Sequence, residues 1–276
     1  MIEAKLVFYA GSTLLEGPRW NNKLNVLLCV SIEQERIFLI DEERQFVRTY
    51  KTHGQVGFAV FKDSEKIVYA AYTGIYELDI ISGKDKFLFQ ANSDKTLRYN
   101  DGDYDPAGRI LIGTTGYKRF APGENCLYSA NLDGSGLKKI VEKTSISNGI
   151  AFSPDSRYLY FIDTPTKKVG RYAYDVRNGN CEFDRYVVEI DGDGVPDGMC
   201  IDGEGNIYVA EWGGYRIRKW NPATGECLKE YPIPVKNVSS CAIGGKNKNV
   251  LYVTTAIQEW EAPKEIGAGG LFKIDL

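Results

Sequence analysis

The chain has one histidine, His53, among 276 residues, and no pair of cysteines spaced Cys-x-x-Cys. A Ser-His-Asp triad would have to use His53, which lies in Lys51-Thr52-His53-Gly54, a turn-like segment ahead of an apolar run. A zinc centre built on imidazole and thiolate lacks its ligands for the same reason. The six cysteines, Cys29, Cys126, Cys181, Cys200, Cys227 and Cys241, are scattered. In a chain of this length with no secretory leader, they are expected as buried thiols, not as a disulfide framework. No apolar run approaches the length of a membrane span. The start, Met1-Ile2-Glu3-Ala4-Lys5-Leu6, has neither the basic residues nor the apolar stretch of a signal peptide. The expectation is a soluble, cytoplasmic protein with no membrane partner. Basic and acidic residues, 34 and 37 with a net charge of −3, are interspersed without a Lys/Arg stripe, which speaks against a nucleic-acid partner. No Gly-rich loop opens a helix to hold a nucleotide, and helical periodicity is almost absent.

What the chain does have is a succession of short alternating runs rich in Val, Ile, Tyr and Phe, divided by Gly, Asp, Asn and Pro turns. Lys66-Ile67-Val68-Tyr69-Ala70, Tyr158-Leu159-Tyr160-Phe161-Ile162 and Asn206-Ile207-Tyr208-Val209-Ala210 are examples. The clearest unit runs from Pro196 to Asp202, turns at Gly203-Glu204-Gly205, returns through Asn206 to Val209, and continues as Tyr215–Trp220 and Cys227–Tyr231. That is a four-stranded antiparallel unit of propeller-blade length.

The unit recurs. Tyr104-Asp105-Pro106-Ala107-Gly108 overlays Ile201-Asp202-Gly203-Glu204-Gly205, and Trp20-Asn21, Phe61-Lys62-Asp63, Phe152-Ser153-Pro154-Asp155 and Ile243-Gly244-Gly245 fall at the same turn. Counting back four residues from each gives Glu16, Gly57, Asn100, Asn148, Asp197 and Ser239, at spacings of 41, 43, 48, 49 and 42 residues. Hairpins of a sandwich need no such period. The reading is an all-β, six-bladed β-propeller with four-stranded antiparallel blades, forming one domain over residues 1–276. The spare segment Ala4–Tyr9 is expected to complete the last blade beside Gly270–Ile274 and close the ring.

In a propeller the first strand of each blade lines the central channel, so the six aligned positions should converge on the axis at one face. Taken singly, Asn148-Gly149, Asn100-Asp101-Gly102 and Asp197-Gly198 are ordinary turn sequences. Glu16 is not, since Glu is a poor turn former. Their shared register points to a site of carboxylate and amide oxygens, with Gly57 expected to leave room. Such donors suit a hard divalent cation. Calcium is favoured because it accepts neutral amides and irregular geometry; Mg²⁺, Mn²⁺ and Zn²⁺ are the alternatives.

Several motifs carry a resemblance to a known family. They are Leu15-Glu16-Gly17-Pro18-Arg19-Trp20, Arg98-Tyr99-Asn100-Asp101-Gly102, Asp105-Pro106-Ala107-Gly108-Arg109, Ile146-Ser147-Asn148-Gly149-Ile150 and Pro196–Asp202, with Val238-Ser239-Ser240-Cys241 and the ending Gly269–Ile274. In this order they are similar to the family of senescence marker protein 30 (regucalcin), the gluconolactonases and the luciferin-regenerating enzymes, over essentially the whole chain. The resemblance implies one metal ion held by Glu16, Asn148 and Asp197, substrate contacts from Asn100 and Arg98, and hydrolysis of a sugar-acid lactone with Asp197 taking a proton from water. Where several relatives carry an acid after the Gly-Thr of the third blade, this chain has Gly113-Thr114-Thr115-Gly116-Tyr117-Lys118. Lys118 therefore joins the candidate substrate-binding residues, and a different lactone is one consequence of it.

Two other readings compete with a metal-dependent lactonase. One is a hydrolase of other esters or organophosphates. The other is a non-catalytic calcium-binding or scaffold propeller, since fold alone does not fix function. The loops Thr115–Glu124 and Ala256–Gly267, with Phe120, Trp260 and Pro263, are expected to overhang the channel mouth. The sequence carries no signal of oligomeric state.

Overall fold

The computed structural model describes residues 3–257 and 265–276. The chain folds as a six-bladed β-propeller in which each of six sheets has four antiparallel strands. The innermost strands are Leu15–Asn21 (blade 1), Val56–Phe61 (blade 2), Leu97–Tyr104 (blade 3), Ser147–Phe152 (blade 4), Val195–Ile201 (blade 5) and Val238–Gly244 (blade 6). Each touches the next around the ring, and the last touches the first. Among the described residues no helix is long and apolar enough to cross a membrane.

The alternating pattern acquires its meaning from this arrangement. Each sheet is covered on both faces by its neighbours, so second strands such as Lys66–Ala71 are apolar almost without interruption and buried from Ile67 onward. Outer strands such as Glu226–Pro232 are polar and exposed except at Tyr231. The buried apolar residues form six clusters, one at each blade-to-blade interface. The cluster between blades 6 and 1 joins Leu15, Leu27 and Phe38 to Tyr252 and Leu271. Sheet-on-sheet burial therefore holds the ring, at about 1.5–3 kcal/mol for each fully buried Leu or Phe.

Local chemistry sets the hairpins. The Asp105 carboxylate accepts from the backbone N–H of Ala107 and Arg109 at 2.8 and 2.9 Å, and Asp202 does the same for Glu204 and Asn206 at 3.0 and 2.9 Å. Gly108 and Gly205 complete these turns at φ 84° and 87°, a region costly for residues with a Cβ.

Lys5–Tyr9 pairs antiparallel with Gly270–Asp275 as the outermost strand of blade 6, so the N-terminal segment closes the ring as expected. In blade 5, Tyr215 sits at φ 59° in the turn, and the third strand begins at Arg216. The cysteines are free; Cys29, Cys126 and Cys241 are buried, whereas Cys181 and Cys200 are partly exposed and Cys227 is exposed. Burial thus holds for half of them: Cys181 and Cys227 fall on outermost strands, and Cys200 lies one residue from the end of an innermost one. Trp260 and Pro263 lie outside the described residues.

Candidate functional site

Every innermost strand carries a register irregularity, and each lies at the position singled out from the sequence. The shifts fall between Glu16 and Arg19, Val56 and Phe58, Tyr99 and Gly102, Asn148 and Ile150, Pro196 and Met199, and Val238 and Ser240. In each, the inner strand holds one residue more than its partner. A bulge breaks the in–out alternation of a strand and re-aims side chains. It is repeated six times at one level of the innermost strands, and five of the six positions carry polar side chains.

The ring does not have six equal members. Gly57 leaves no room: a Cβ there would lie 2.4 Å from the Asn100 carbonyl oxygen and 2.5 Å from that of Tyr99. Its role is to let the backbone of blade 3 press against blade 2. Ser239 is likewise committed to the fold, donating to the Leu15 carbonyl at 2.5 Å and lying 3.0 Å from the Thr254 hydroxyl.

The remaining four positions are linked by charge and by a directional chain of hydrogen bonds. Arg98 Nη1 donates to Asn100 Oδ1 at 2.8 Å, Asn100 Nδ2 donates to Asn148 Oδ1 at 2.7 Å, and Asn148 Nδ2 donates to Thr164 Oγ1 at 2.8 Å. Asn100 Nδ2 also reaches the Ser147 carbonyl at 2.9 Å. Both amides are thereby oriented, and each oxygen keeps a lone pair unused.

The two carboxylates have no such partners. Glu16 accepts one hydrogen bond, from the Gly17 N–H at 2.9 Å, and no donor among the described residues reaches the Asp197 carboxylate. Desolvation, then the charge of Asp101, pushes the Glu16 carboxyl up to about 8. Desolvation also raises Asp197 well above the ordinary carboxylate range, with Glu16 and Asp101 adding to it and Arg98 opposing. Burial lowers the Arg98 guanidinium to about 10, against the pull of Glu16, Glu33 and Asp197.

Sequence reasoning missed Asp101 and Arg19. Asp101 sits in the blade 3 bulge beside Asn100, and burial raises its carboxyl even though Arg19 lies 3.4 Å away. Arg19 also donates to the Pro18 and Gly102 carbonyls at 3.0 and 3.1 Å. The signal was present as Asp one residue past Asn100 and Arg three residues past Glu16, both still on strands that line the channel.

Among the described residues no group of three or more His, Cys, Asp or Glu side chains is arranged to hold a metal. The oxygen set at this level is instead two carboxylates, Glu16 and Asp197, with the amides of Asn148 and Asn100. Two buried carboxylates without cationic hydrogen-bond partners, beside amide oxygens with spare lone pairs, fit a hard divalent cation.

Lys118 stands apart from this cluster. It is exposed at φ 55°, with Nζ 5.1 Å over the Tyr117 ring. Its loop leaves the strand Ile110–Gly116 at the end paired with Leu97 and Arg98, the same end of blade 3 that carries Asn100. A groove of about 840 Å³ lies elsewhere, between the outer strands of blades 3 and 4 around Arg157, Tyr174 and Glu182.

Residues 14–257 match the SMP-30/Gluconolactonase/LRE-like region family. The "Putative sugar lactone lactonase YvrE" of Bacillus subtilis is 34% identical over 269 residues, covering 95% of this chain and 90% of that protein. Human regucalcin is 32% identical over 269 residues, covering 94% and 89%. Among solved structures, a regucalcin of Agrobacterium tumefaciens, described as a calcium-binding protein, superposes with a TM-score of 0.91 at 24% identity, covering 99% of this chain and 93% of that one.

Proposed function

Because the chain belongs to the SMP-30/gluconolactonase/LRE-like family, we propose that it is a divalent-metal-dependent hydrolase opening a sugar-acid lactone. The observation that carries this is the pair of buried carboxylates that hydrogen-bond to no cation, Glu16 and Asp197, beside oriented Asn100 and Asn148 at one level of the channel. Likeness to the B. subtilis lactonase supports the substrate class.

Glu16, Asn148 and Asp197 would hold the cation, with calcium favoured by the neutral amide in the set. A bound divalent cation supplies a Lewis acid for the lactone carbonyl and acidifies water in its shell. The protein's own residues do the rest. Arg98 has Nη1 committed to Asn100 and the Tyr99 carbonyl, and its other N–H groups are available to substrate hydroxyls or a carboxylate. Asn100, fixed from both sides, orients the lactone. Asp197 accepts a proton from the attacking water through its carboxylate oxygen, a role open to it because no protein donor among the described residues occupies that carboxylate.

The test is hydrolysis of an aldonolactone panel by metal-stripped protein, with and without Ca²⁺, Mn²⁺, Mg²⁺ and Zn²⁺. Metal-restored turnover establishes the reading. A folded, metal-binding protein that turns over no lactone but cleaves phosphotriesters, or nothing, overturns it.

A further inference from the structure

The inner strands continue past the site to the opposite mouth of the channel. There, three residues beyond Asp197 and two beyond Ser239, Cys200 and Cys241 face each other across the interface of blades 5 and 6, sulfur to sulfur at 3.6 Å. They are the one pair of sulfurs in contact among the described residues. The two thiols differ in access. Cys241 is fully buried, with its thiol 3.4 Å from the Tyr208 carbonyl, whereas Cys200 is partly exposed. Both line a cavity of about 270 Å³ with Arg19, Asp103, Phe152 and Met199. Burial, then the neighbouring Cys200 sulfur, holds the Cys241 thiol well above the ordinary thiol range, with Arg19 opposing, so Cys241 is placed to act second, after the more accessible Cys200.

We propose that Cys200 and Cys241 form a dithiol modification site that reacts with low-molecular-weight disulfides entering from this far mouth. The Cys200 thiol gives up its proton and attacks the disulfide. A mixed disulfide forms, and the first small thiol leaves as thiolate and takes up a proton. Cys241 then loses its proton and attacks the Cys200 sulfur, expelling the second small thiol. The two cysteines lose two electrons and two protons, and the small disulfide is reduced to two thiols. The sulfurs must close by about 1.6 Å to reach disulfide bonding distance. The product staples the inner strand that carries Asp197 to blade 6.

Exposed Cys227, with no sulfur neighbour, serves as the internal control. Reduced whole protein is incubated with glutathione disulfide and mapped by peptide mass spectrometry. The expected result is a crosslinked Cys200–Cys241 peptide lacking two hydrogens and carrying no glutathione, while Cys227 carries a glutathione adduct. The melting temperature should rise by about 5 °C and fall back with dithiothreitol, because the link shortens the unfolded chain's reach. Cys241→Ser should trap glutathione on Cys200. Adducts at Cys227 alone, with Cys200 and Cys241 still free in the wild-type map, overturn the proposal.

Discussion

Buried acids occur in two settings in this propeller. On the blades they are fully compensated. Glu211, completely buried, is gripped by Arg218 and by Arg216 at 2.9 Å, and Glu77 is ringed by Lys62, Lys86 and Lys66 at 2.5, 3.0 and 3.6 Å. In the channel, Glu16 and Asp197 face a third carboxylate, Asp101, and hydrogen-bond to no cation. The direction of the proton equilibrium follows the setting. Burial pushes Glu77 up, but the hydrogen bonds and charges of Lys62 and Lys86 together outweigh it and lower the group to about 2, whereas burial raises Glu16 to about 8. A fold that compensates acids so completely on its blades, and leaves two unpaired at its axis, reserves the axis for a charge that the chain does not supply.

The sharpest way to break this contrast is Asp197→Asn against Glu211→Gln. Asp197→Asn should lower kcat/KM on a lactone by roughly 10³-fold, the scale of losing a positioned base. It should leave the melting temperature of metal-free protein unchanged or higher, since it removes an uncompensated buried acid. Glu211→Gln should do the opposite, taking the buried carboxylate from two guanidiniums that keep only the exposed Asp191 and Glu230, at a cost of about 3–5 kcal/mol. In a chain of this size that is a fall of about 5–10 °C, with turnover per folded molecule little changed. Calorimetry and steady-state kinetics on both variants decide it; a large stability loss in Asp197→Asn would mean the channel acid is structural.

The pH dependence sharpens the comparison with a smaller effect. Glu16 binds a proton in the folded chain up to about pH 8, but only to about its ordinary 4.5 when unfolded. The folded state therefore holds more protons between these values, and metal-free stability declines as pH rises through that window. Glu77 acts with the opposite sign. Its folded value of about 2 lies below the ordinary 4.5, so it contributes stability above pH 4.5 that is lost as pH falls toward 2. Melting temperature against pH in chelator should show both limbs. Glu16→Gln should flatten the neutral one and Glu77→Gln the acidic one. Added Ca²⁺ should offset the neutral loss, because a cation takes the deprotonated carboxylates and displaces protons.

The sequence made much of this legible because the repeat is local chemistry. Asp105 and Asp202 hold their own turns, the glycines at 108 and 205 follow at fixed distance, and four residues back from each turn lies the bulge. What could not be read are relations across the ring. Gly57 looks like open space until blade 3 is seen pressed against it, and Ser239 looks like a ligand until its hydroxyl is found on Leu15, 224 residues away in the chain. Asp101 and Arg19 meet 82 residues apart for the same reason. Cys200 and Cys241, 41 residues apart, become a pair only when two blades close on each other.

Lys118 offers the smallest and most selective test, because it separates the rim from the axis. Its loop is held without it: Arg119 bridges Glu124 at 2.6 Å and reaches Thr96 Oγ1 at 3.1 Å, and Tyr117 packs on Tyr72 at 4.6 Å. The Lys118 ammonium contributes only an exposed contact over the Tyr117 ring, on the order of 0.5–1 kcal/mol. Lys118→Ala should therefore move the melting temperature by less than about 1 °C. If Lys118 turns inward to meet substrate, KM for a lactone bearing a free carboxylate should rise about 2–5-fold, the same energy scale, with kcat unaltered and the difference fading as salt screens an exposed charge. A neutral lactone should show no change. Equal effects on both substrates would place Lys118 in the support of the loop, and no effect on either would confine recognition to Arg98 and Asn100 at the axis.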